Sequence, residues 1–131
     1  MRLLLDTHVW LWSMGDPARL RTEVQAELDN PSNELWLSPI SVWEVLLLAE
    51  RGRVVLAEHP DAWIRTTLAQ GRLQEAPITH EIALQSRQLP LVPKDPADRF
   101  LVATALVLGL TLVTADKRLL SLKQIPVLPA R

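Results

Sequence analysis

The chain has 131 residues, with 14 Lys and Arg against 15 Asp and Glu, a net charge of −1 and no cysteine. This length suits a single domain over residues 1–131 with a substantial core. The lack of cysteine excludes a disulfide framework and a cysteine zinc site, and the near-neutral charge argues against simple electrostatic binding of nucleic acid. No apolar run reaches the roughly 20 residues of a membrane span, and the start is too short for a secretory signal, so we expect a cytoplasmic protein.

The first predicted element is a short strand over residues 2–5, which ends at Asp6. Its apolar residues are continuous rather than alternating, as in a parallel strand that is covered on both faces. A helix is predicted from Thr7 to near Gly15. A lone histidine beside a strand end is more often a structural hydrogen-bonding residue than a metal ligand, and we assign His8 the structural role.

A second strand is predicted over residues 34–37, after an amphipathic helix over residues 20–28. Ser38 is a suitable N-cap for the next helix, with Pro39 in its first turn. On this helix Glu44 lies among large apolar residues at three- and four-residue spacings. It is either a carboxylate near the strand ends or an ordinary surface glutamate, and the helix pattern alone leaves both open.

The middle of the chain predicts a helix over residues 60–69 that ends at Gly71, a weak strand over 73–77, and a helix from Thr79 to Leu89. After residue 116 it predicts a short helix over residues 117–122 and a last strand over 125–128, placed at a sheet edge because a proline there cannot donate to a ladder. Strands alternate with helices and no hairpin signal joins them. The sequence therefore predicts an α/β fold with a mainly parallel central sheet of about five strands flanked by helices.

An acid-rich stretch precedes the fourth predicted strand. Asp95 is a good N-cap, with Pro96 at the first helical position and Asp98 at the third. The helix ends at Gly109, and a strand over residues 112–115 then ends at Asp116. Capping explains the first two acids but not Asp116, which lies where an α/β sheet opens its ligand crevice.

Four carboxylates are therefore expected in one pocket: Asp6, Glu44, Asp98 and Asp116. They would repel one another unless a cation compensated their charge. Ligands that are all oxygen favour Mg²⁺ or Mn²⁺ over zinc, and such ions can activate water and stabilise phosphoryl displacement. If these four acids bind metal, the rest of the chain has 14 basic and 11 acidic residues. Its net charge of +3 suits a phosphodiester substrate.

Four segments together carry a specific resemblance that extends over the whole chain. They are Leu-Leu-Leu-Asp-Thr-His ending at residue 8, Ser-Pro-Ile-Ser-Val-Trp-Glu-Val over 38–45, Asp-Pro-Ala-Asp-Arg-Phe-Leu-Val-Ala-Thr-Ala over 95–105 and Leu-Val-Thr-Ala-Asp over 112–116. In this order and spacing the chain resembles the PIN-domain ribonucleases of the VapC toxin type. The resemblance implies Mg²⁺- or Mn²⁺-dependent endonucleolytic cleavage of RNA, a homodimer, and a cognate antitoxin protein from the same operon.

The resemblance also implies roles for individual residues. The metal-binding and catalytic acids would be Asp6, Glu44, Asp98 and Asp116. Among them, Asp6 and Asp98 would contact metal most directly, and Glu44 would act through water or orient the attacking water. Thr114 resembles a hydroxyl residue that supports the site, and Asp95 a supporting or helix-capping acid. Arg99 is expected to pair with an acid rather than to contact phosphate.

Other functions fit less well. A receiver domain needs an adjacent acidic pair, whereas the chain has Asp6-Thr7, and a haloacid-type hydrolase needs a second aspartate where His8 lies. The non-enzymatic alternative is a catalytically silent PIN-like RNA- or protein-binding module. Tyr is absent, Phe occurs once, and the five Trp fall mostly on apolar helix faces, so we expect most tryptophans to be core or interface residues.

Overall fold

The computed structural model describes residues 1–70, 72–90 and 92–131. Its strands are β1 (Arg2–Leu5), β2 (Glu34–Leu37), β3 (Leu73–Glu75), β4 (Thr111–Thr114) and β5 (Val127–Pro129). Its α-helices are α1 (Thr7–Gly15), α2 (Thr22–Asp29), α3 (Pro39–Glu50), α4 (Pro60–Ala69), α5 (His80–Ser86), α6 (Pro96–Leu108) and α7 (Lys117–Leu120). Within these ranges, no helix combines the length and the apolar character needed to cross a membrane.

The five strands form one sheet in the order β3-β2-β1-β4-β5, and each neighbouring pair is parallel. This confirms the predicted α/β fold with a parallel five-stranded sheet, and β5 lies at an edge as expected. Parallel strands have their carboxyl ends at the same edge of the sheet. The residues that follow the central strands β1 and β4 are therefore brought together by topology alone.

The sheet separates two apolar layers. Leu4 of β1 packs on one face with α5 and α6, including Ile82 and Leu101. Leu3 and Leu5 pack on the opposite face with α1, α2 and α3. All three leucines of β1 are almost completely buried, which explains why this strand is continuously apolar.

The helix starts follow the local sequence signals. The side chains of Ser38, Thr79 and Asp95 accept hydrogen bonds from backbone N–H groups in the first turns of α3, α5 and α6. α6 ends at Leu108 and is capped by Gly109, whose φ of 65° lies in the left-handed region that favours glycine. These predicted caps are confirmed.

Several predicted ends are displaced by a few residues. α5 ends at Ser86 rather than at Leu89, and α7 at Leu120 rather than at residue 122. Leu89 precedes a proline, and the residue before proline disfavours the helical region. The predicted helix end at Gly71 lies outside the described residues.

Arg99 of α6 has a structural role, and its expected pairing with an acid is wrong. Its guanidinium donates to the backbone carbonyls of Ser86 (2.8 Å) and Leu89 (2.9 Å), and to those of Val92 (3.1 Å) and Pro93 (3.4 Å). These carbonyls belong to the last residue of α5 and to the segment that joins α5 to α6. The planar fork of donors thus fixes the segment that leads to Asp95 and Asp98.

We expect Arg99→Lys to lower the free energy of unfolding by about 2 kcal/mol, because one ammonium group cannot replace the fork and partly buried carbonyls lose their donors. Urea denaturation followed by circular dichroism measures the change. Arg87→Lys, an exposed position on the same segment, is the matched control. Equal stability of the two variants would contradict this role for Arg99.

Candidate functional site

The four predicted carboxylates line one cavity of about 420 Å³ at the carboxyl edge of the sheet. Asp6 follows β1, Asp116 follows β4, Asp98 lies in the first turn of α6, and Glu44 lies in the second turn of α3. From this position Glu44 reaches the cavity. The surface alternative for Glu44 is excluded, because its side chain is half-buried and faces the other acids.

Asp6 is held in place by the neighbouring strand β4. Its backbone N–H donates to the Val113 carbonyl at 3.0 Å, and its carboxylate accepts a 2.6 Å hydrogen bond from the buried Thr114 hydroxyl. Burial raises the pKa of Asp6 above its ordinary value, although the Thr114 hydrogen bond opposes this shift. The Thr114 oxygen also accepts from the Asp116 backbone N–H at 3.1 Å. Thr114 therefore helps to fix the positions of both Asp6 and Asp116, the acids that follow β1 and β4.

Glu44 is fixed by hydroxyl groups. The Thr7 hydroxyl donates to its carboxylate, and the Ser41 hydroxyl lies 3.0 Å from the Thr7 oxygen. A hydroxyl has only one proton to donate. Because the Thr7 hydroxyl donates its proton to Glu44, the Ser41 hydroxyl must be the donor in its contact with Thr7. Burial raises the pKa of Glu44, and the nearby charges of Asp6 and Asp95 raise it further.

Asp98 and Asp116 share one cation, the guanidinium of Arg118. Its Nη2 lies 2.7 Å from Asp116 Oδ2 and 3.3 Å from Asp98 Oδ2. The hydrogen bond from Arg118 lowers the pKa of Asp116. Burial, followed by the charges of Asp95 and Asp6, raises the pKa of Asp98 to about 7. Two aspartates in the same cavity therefore differ in the direction of their pKa shifts.

Asp95 is exposed and serves as the N-cap of α6, with its side chain 2.9 Å from the Ala97 N–H. The expected capping role is confirmed, and the residue also lines the cavity. Its charge acts on Asp98 and Glu44 by raising their pKa values.

The cavity wall also contains His8, which was assigned a structural role, and three residues that sequence reasoning missed: Trp12, Arg118 and Arg131. His8 is exposed at the rim and packs its ring 5.9 Å from that of Trp12. Its structural hydrogen-bonding role stays a prediction. The only sequence signal for Arg118 was its place two residues after Asp116. That spacing lets its backbone N–H and its guanidinium bind the same carboxylate.

The oxygen atoms of these carboxylates suit a hard divalent cation. Two of the carboxylates, those of Glu44 and Asp6, are oriented by hydrogen bonds from threonine hydroxyls. Within the described residues, no three His, Asp or Glu side chains already form a ready-made metal-binding group. The guanidinium of Arg118 engages both carboxylate oxygens of Asp116 and one oxygen of Asp98. Its side chain is 62% exposed, so it can move into solvent without disturbing the core.

The raised pKa of Asp98 predicts a pH dependence of stability in chelator-treated protein. The folded state keeps a proton that the unfolded chain releases between pH 3.8 and about 7, so stability falls as pH rises through this window. Asp98→Asn should remove much of this dependence on pH. At pH 8 its free energy of unfolding should exceed that of wild type by about 1–2 kcal/mol. Urea denaturation at several pH values between 4 and 8 measures the free energy of unfolding of both proteins.

Asp61→Asn is the matched control for that measurement. The Asp61 carboxyl is exposed, and its hydrogen bond from Arg65 lowers its pKa, so its linkage has the opposite sign. A wild-type protein whose stability rises from pH 4 to pH 8 in parallel with Asp98→Asn would contradict the raised pKa.

The position of Arg118 predicts a competition with divalent cations. In Arg118→Gln the repulsion between the carboxylates is no longer offset, so the chelated protein should melt at a lower temperature. Mn²⁺ should then bind several-fold more tightly than to wild type and raise the melting temperature more. Calorimetric titration and thermal melts measure both effects, with Lys117→Gln as control. Weaker Mn²⁺ binding by Arg118→Gln would contradict the competition.

Comparisons with known proteins agree with this architecture. A family model described as the PIN domain matches residues 3–125. The chain is 38% identical over 120 residues to Ribonuclease VapC22 of Mycobacterium tuberculosis, covering 91% of this chain and 90% of that protein.

Solved structures share the fold. The VapBC2 structure from Rickettsia felis, bound to a promoter DNA fragment, matches with a TM-score of 0.73 at 14% identity and full coverage of both chains. The VapBC-1 structure from nontypeable Haemophilus influenzae matches with a TM-score of 0.71 at 20% identity, covering 98% of each chain. The family model, the curated relative and the five-stranded parallel sheet together show that this chain belongs to the PIN-domain family, among the VapC-type proteins.

Proposed function

We propose that this protein is a Mg²⁺- or Mn²⁺-dependent endoribonuclease that hydrolyses RNA phosphodiester bonds at the cavity of Asp6, Glu44, Asp98 and Asp116. The observation that carries the proposal is that four separate segments deliver these acids to one cavity. Burial raises the pKa of three of them, so the fold gathers negative charge that it does not fully neutralise. The relative named as a ribonuclease supports the same activity.

A divalent cation held by these carboxylates would activate water and stabilise the charge of an in-line phosphoryl displacement. Asp6 and Asp98 are its proposed principal ligands, since Asp6 is fixed by Thr114 and Asp98 is inside the cavity with its side chain only 15% exposed. Asp116 completes the acidic edge once its contact with Arg118 is released.

The chain's own residues would direct the attack. The Glu44 carboxylate is oriented by Thr7, and an oxygen not engaged by that hydroxyl can accept a hydrogen bond from the attacking water. Attack at phosphorus breaks the bond to the leaving oxygen, which gains a proton. The Arg118 guanidinium, at the rim of the cavity, can donate to a phosphate oxygen.

The proposal extends to the biological role. The relative is named VapC22, and the structural neighbours are VapBC complexes, which supports a toxin that is neutralised in the cytoplasm by a cognate antitoxin protein. A homodimer is part of the same proposal. Trp43 on α3 and Leu106 on α6 expose 53% and 42% of their surface, and such apolar side chains favour an interface.

The decisive test is cleavage of a mixed RNA pool by antitoxin-free protein with Mg²⁺, with Mn²⁺ and with chelator. Wild type should cleave only with metal, and Asp98→Asn and Glu44→Gln should each reduce the rate by at least about a hundredfold. The first weakens a proposed metal ligand, and the second removes the carboxylate that would accept a hydrogen bond from the attacking water. Electrophoresis of end-labelled RNA measures the rate and locates the cut sites.

Glu50→Gln is the matched control for Glu44→Gln, since it removes an exposed carboxylate from the same helix. Its rate should equal that of wild type. If wild type is as inactive as the folded Asp98→Asn variant, or is equally active with chelator, the nuclease proposal fails. RNA or antitoxin binding without turnover would then favour the catalytically silent binding module.

A further inference from the structure

We propose that Arg19 and Arg131, held against the indole of Trp12, form a phosphate-binding clamp for single-stranded RNA next to the carboxylate cavity. The inference rests on the proposed function for its choice of ligand. It adds a binding surface that contains none of the four acids, and it can be tested without turnover.

The clamp is defined by two cation–π contacts to one ring. The guanidinium carbon of Arg19 lies 4.7 Å from the centre of the Trp12 ring, and that of Arg131 lies 5.3 Å from it. The ring of His8 lies 5.9 Å away at an angle of 49°. These residues come from α1, from the 3₁₀ turn that follows it, and from the segment after β5. Trp12 thus brings together cations that are distant in the sequence.

The position of Trp12 links the clamp to the acids. Trp12 and His8 line both the carboxylate cavity of about 420 Å³ and an adjoining cavity of about 730 Å³. Arg131 lines the first cavity, while Arg19 lines the second. A chain that crosses Trp12 therefore passes from the proposed reaction site to a second region of positive charge.

The guanidinium groups of the clamp are available to an external anion. Within the described residues, the ion pairs closer than 4.0 Å involve neither Arg19 nor Arg131. Neither residue outside the description, Gly71 or Leu91, has an acidic side chain. Asp16 is the one carboxylate among the described residues that line the larger cavity, where Arg53 adds a further cation.

The chemistry of the clamp favours a phosphodiester chain. A guanidinium that stacks on indole keeps its N–H edge for bidentate hydrogen bonds to phosphate, and stacking restricts its rotamers before the ligand arrives. Grooves for single-stranded nucleic acid combine positive charge with aromatic residues in this way. Because an internal phosphodiester has phosphates on both sides, a strand cleaved among the acids needs cations nearby for its neighbouring phosphates. The adjacency of clamp and carboxylates meets this need.

The test measures binding without cleavage. Asp98→Asn protein in EDTA is titrated into a short fluorescein-labelled single-stranded RNA of mixed sequence, and anisotropy is recorded over a range of salt concentrations. Arg19→Gln and Arg131→Gln should each weaken binding by about tenfold, the effect of one charge-assisted hydrogen bond to phosphate. Each should also lower the slope of log affinity against log salt by about 0.7, the value for one contact to a single strand.

Two further variants separate the clamp from net charge and from folding. Arg65→Gln removes an exposed arginine on α4 that pairs with Asp61, and it should leave both affinity and slope unchanged. Trp12→Leu should weaken binding although it removes no charge, whereas Trp12→Phe should restore most of it by keeping an aromatic face. Circular dichroism melts establish that each variant is folded.

The outcomes are distinct from those of the cleavage experiment. If wild type cleaves RNA but Arg19→Gln and Arg131→Gln bind RNA like the Arg65→Gln control, the clamp is overturned while the nuclease proposal stands. It is also overturned if Asp98→Asn protein does not bind the RNA, or if the arginine variants weaken antitoxin binding alone, which would make this surface a protein interface. Loss of RNA affinity with the reduced salt slope establishes the clamp whether or not cleavage is observed.

Discussion

The constraint on which this structure depends is the mutual repulsion of carboxylates at the carboxyl edge of a parallel sheet. β1 and β4 are central and adjacent, so Asp6 and Asp116 must emerge side by side, and α3 and α6 add Glu44 and Asp98. A sequence under selection for stability alone would not place acids at all four positions, because buried negative charge is costly. Their concentration in one cavity is the feature that favours the proposed catalytic site.

The protein limits this cost through contacts that leave the cavity acidic. The hydroxyl groups of Thr7 and Thr114 donate to Glu44 and Asp6, and Arg118 spans Asp98 and Asp116. The hydroxyls lie on elements packed into the core and orient their acids permanently, whereas Arg118 is exposed and can leave. The fold therefore fixes the geometry of the acids with neutral donors and compensates their charge with a movable cation.

Local chemistry made much of this architecture predictable. Continuous apolar runs identified the strands, and Ser38, Thr79 and Asp95 marked helix starts, because these signals act within a few residues of each other. The acids that follow β1 and β4 could be placed together because parallel topology dictates it. The inclusion of Glu44 and Asp98 followed from the family resemblance as well as from position.

Long side chains were not predictable in the same way. Arg99 binds carbonyls between residues 86 and 93, and Arg118 reaches an acid 20 positions away, so each partner is chosen by tertiary proximity rather than by sequence spacing. The tryptophans show the same limit. Trp10 is fully buried as expected, but Trp43 is 53% exposed and Trp12 lies at a cavity wall between two arginines. An apolar helix face in the sequence does not reveal which part of that face the rest of the chain will cover.

The net charge of −1 conceals a separation of charge that matters for an anionic substrate. Five carboxylates line the cavity, those of Asp6, Glu44, Asp98 and Asp116 together with Asp95, while three arginines lie at its rim or just beyond: Arg118, Arg131 and Arg19. A polyanion would be repelled by the cavity in the absence of a divalent cation but attracted by its rim. Substrate capture and reaction would then depend on different groups, with the arginines holding phosphates outside the cavity and the carboxylates acting only when their charge is compensated. Under the proposed function, such a site would bind RNA weakly in many registers and would react only when a phosphate enters a cavity that has bound its cation.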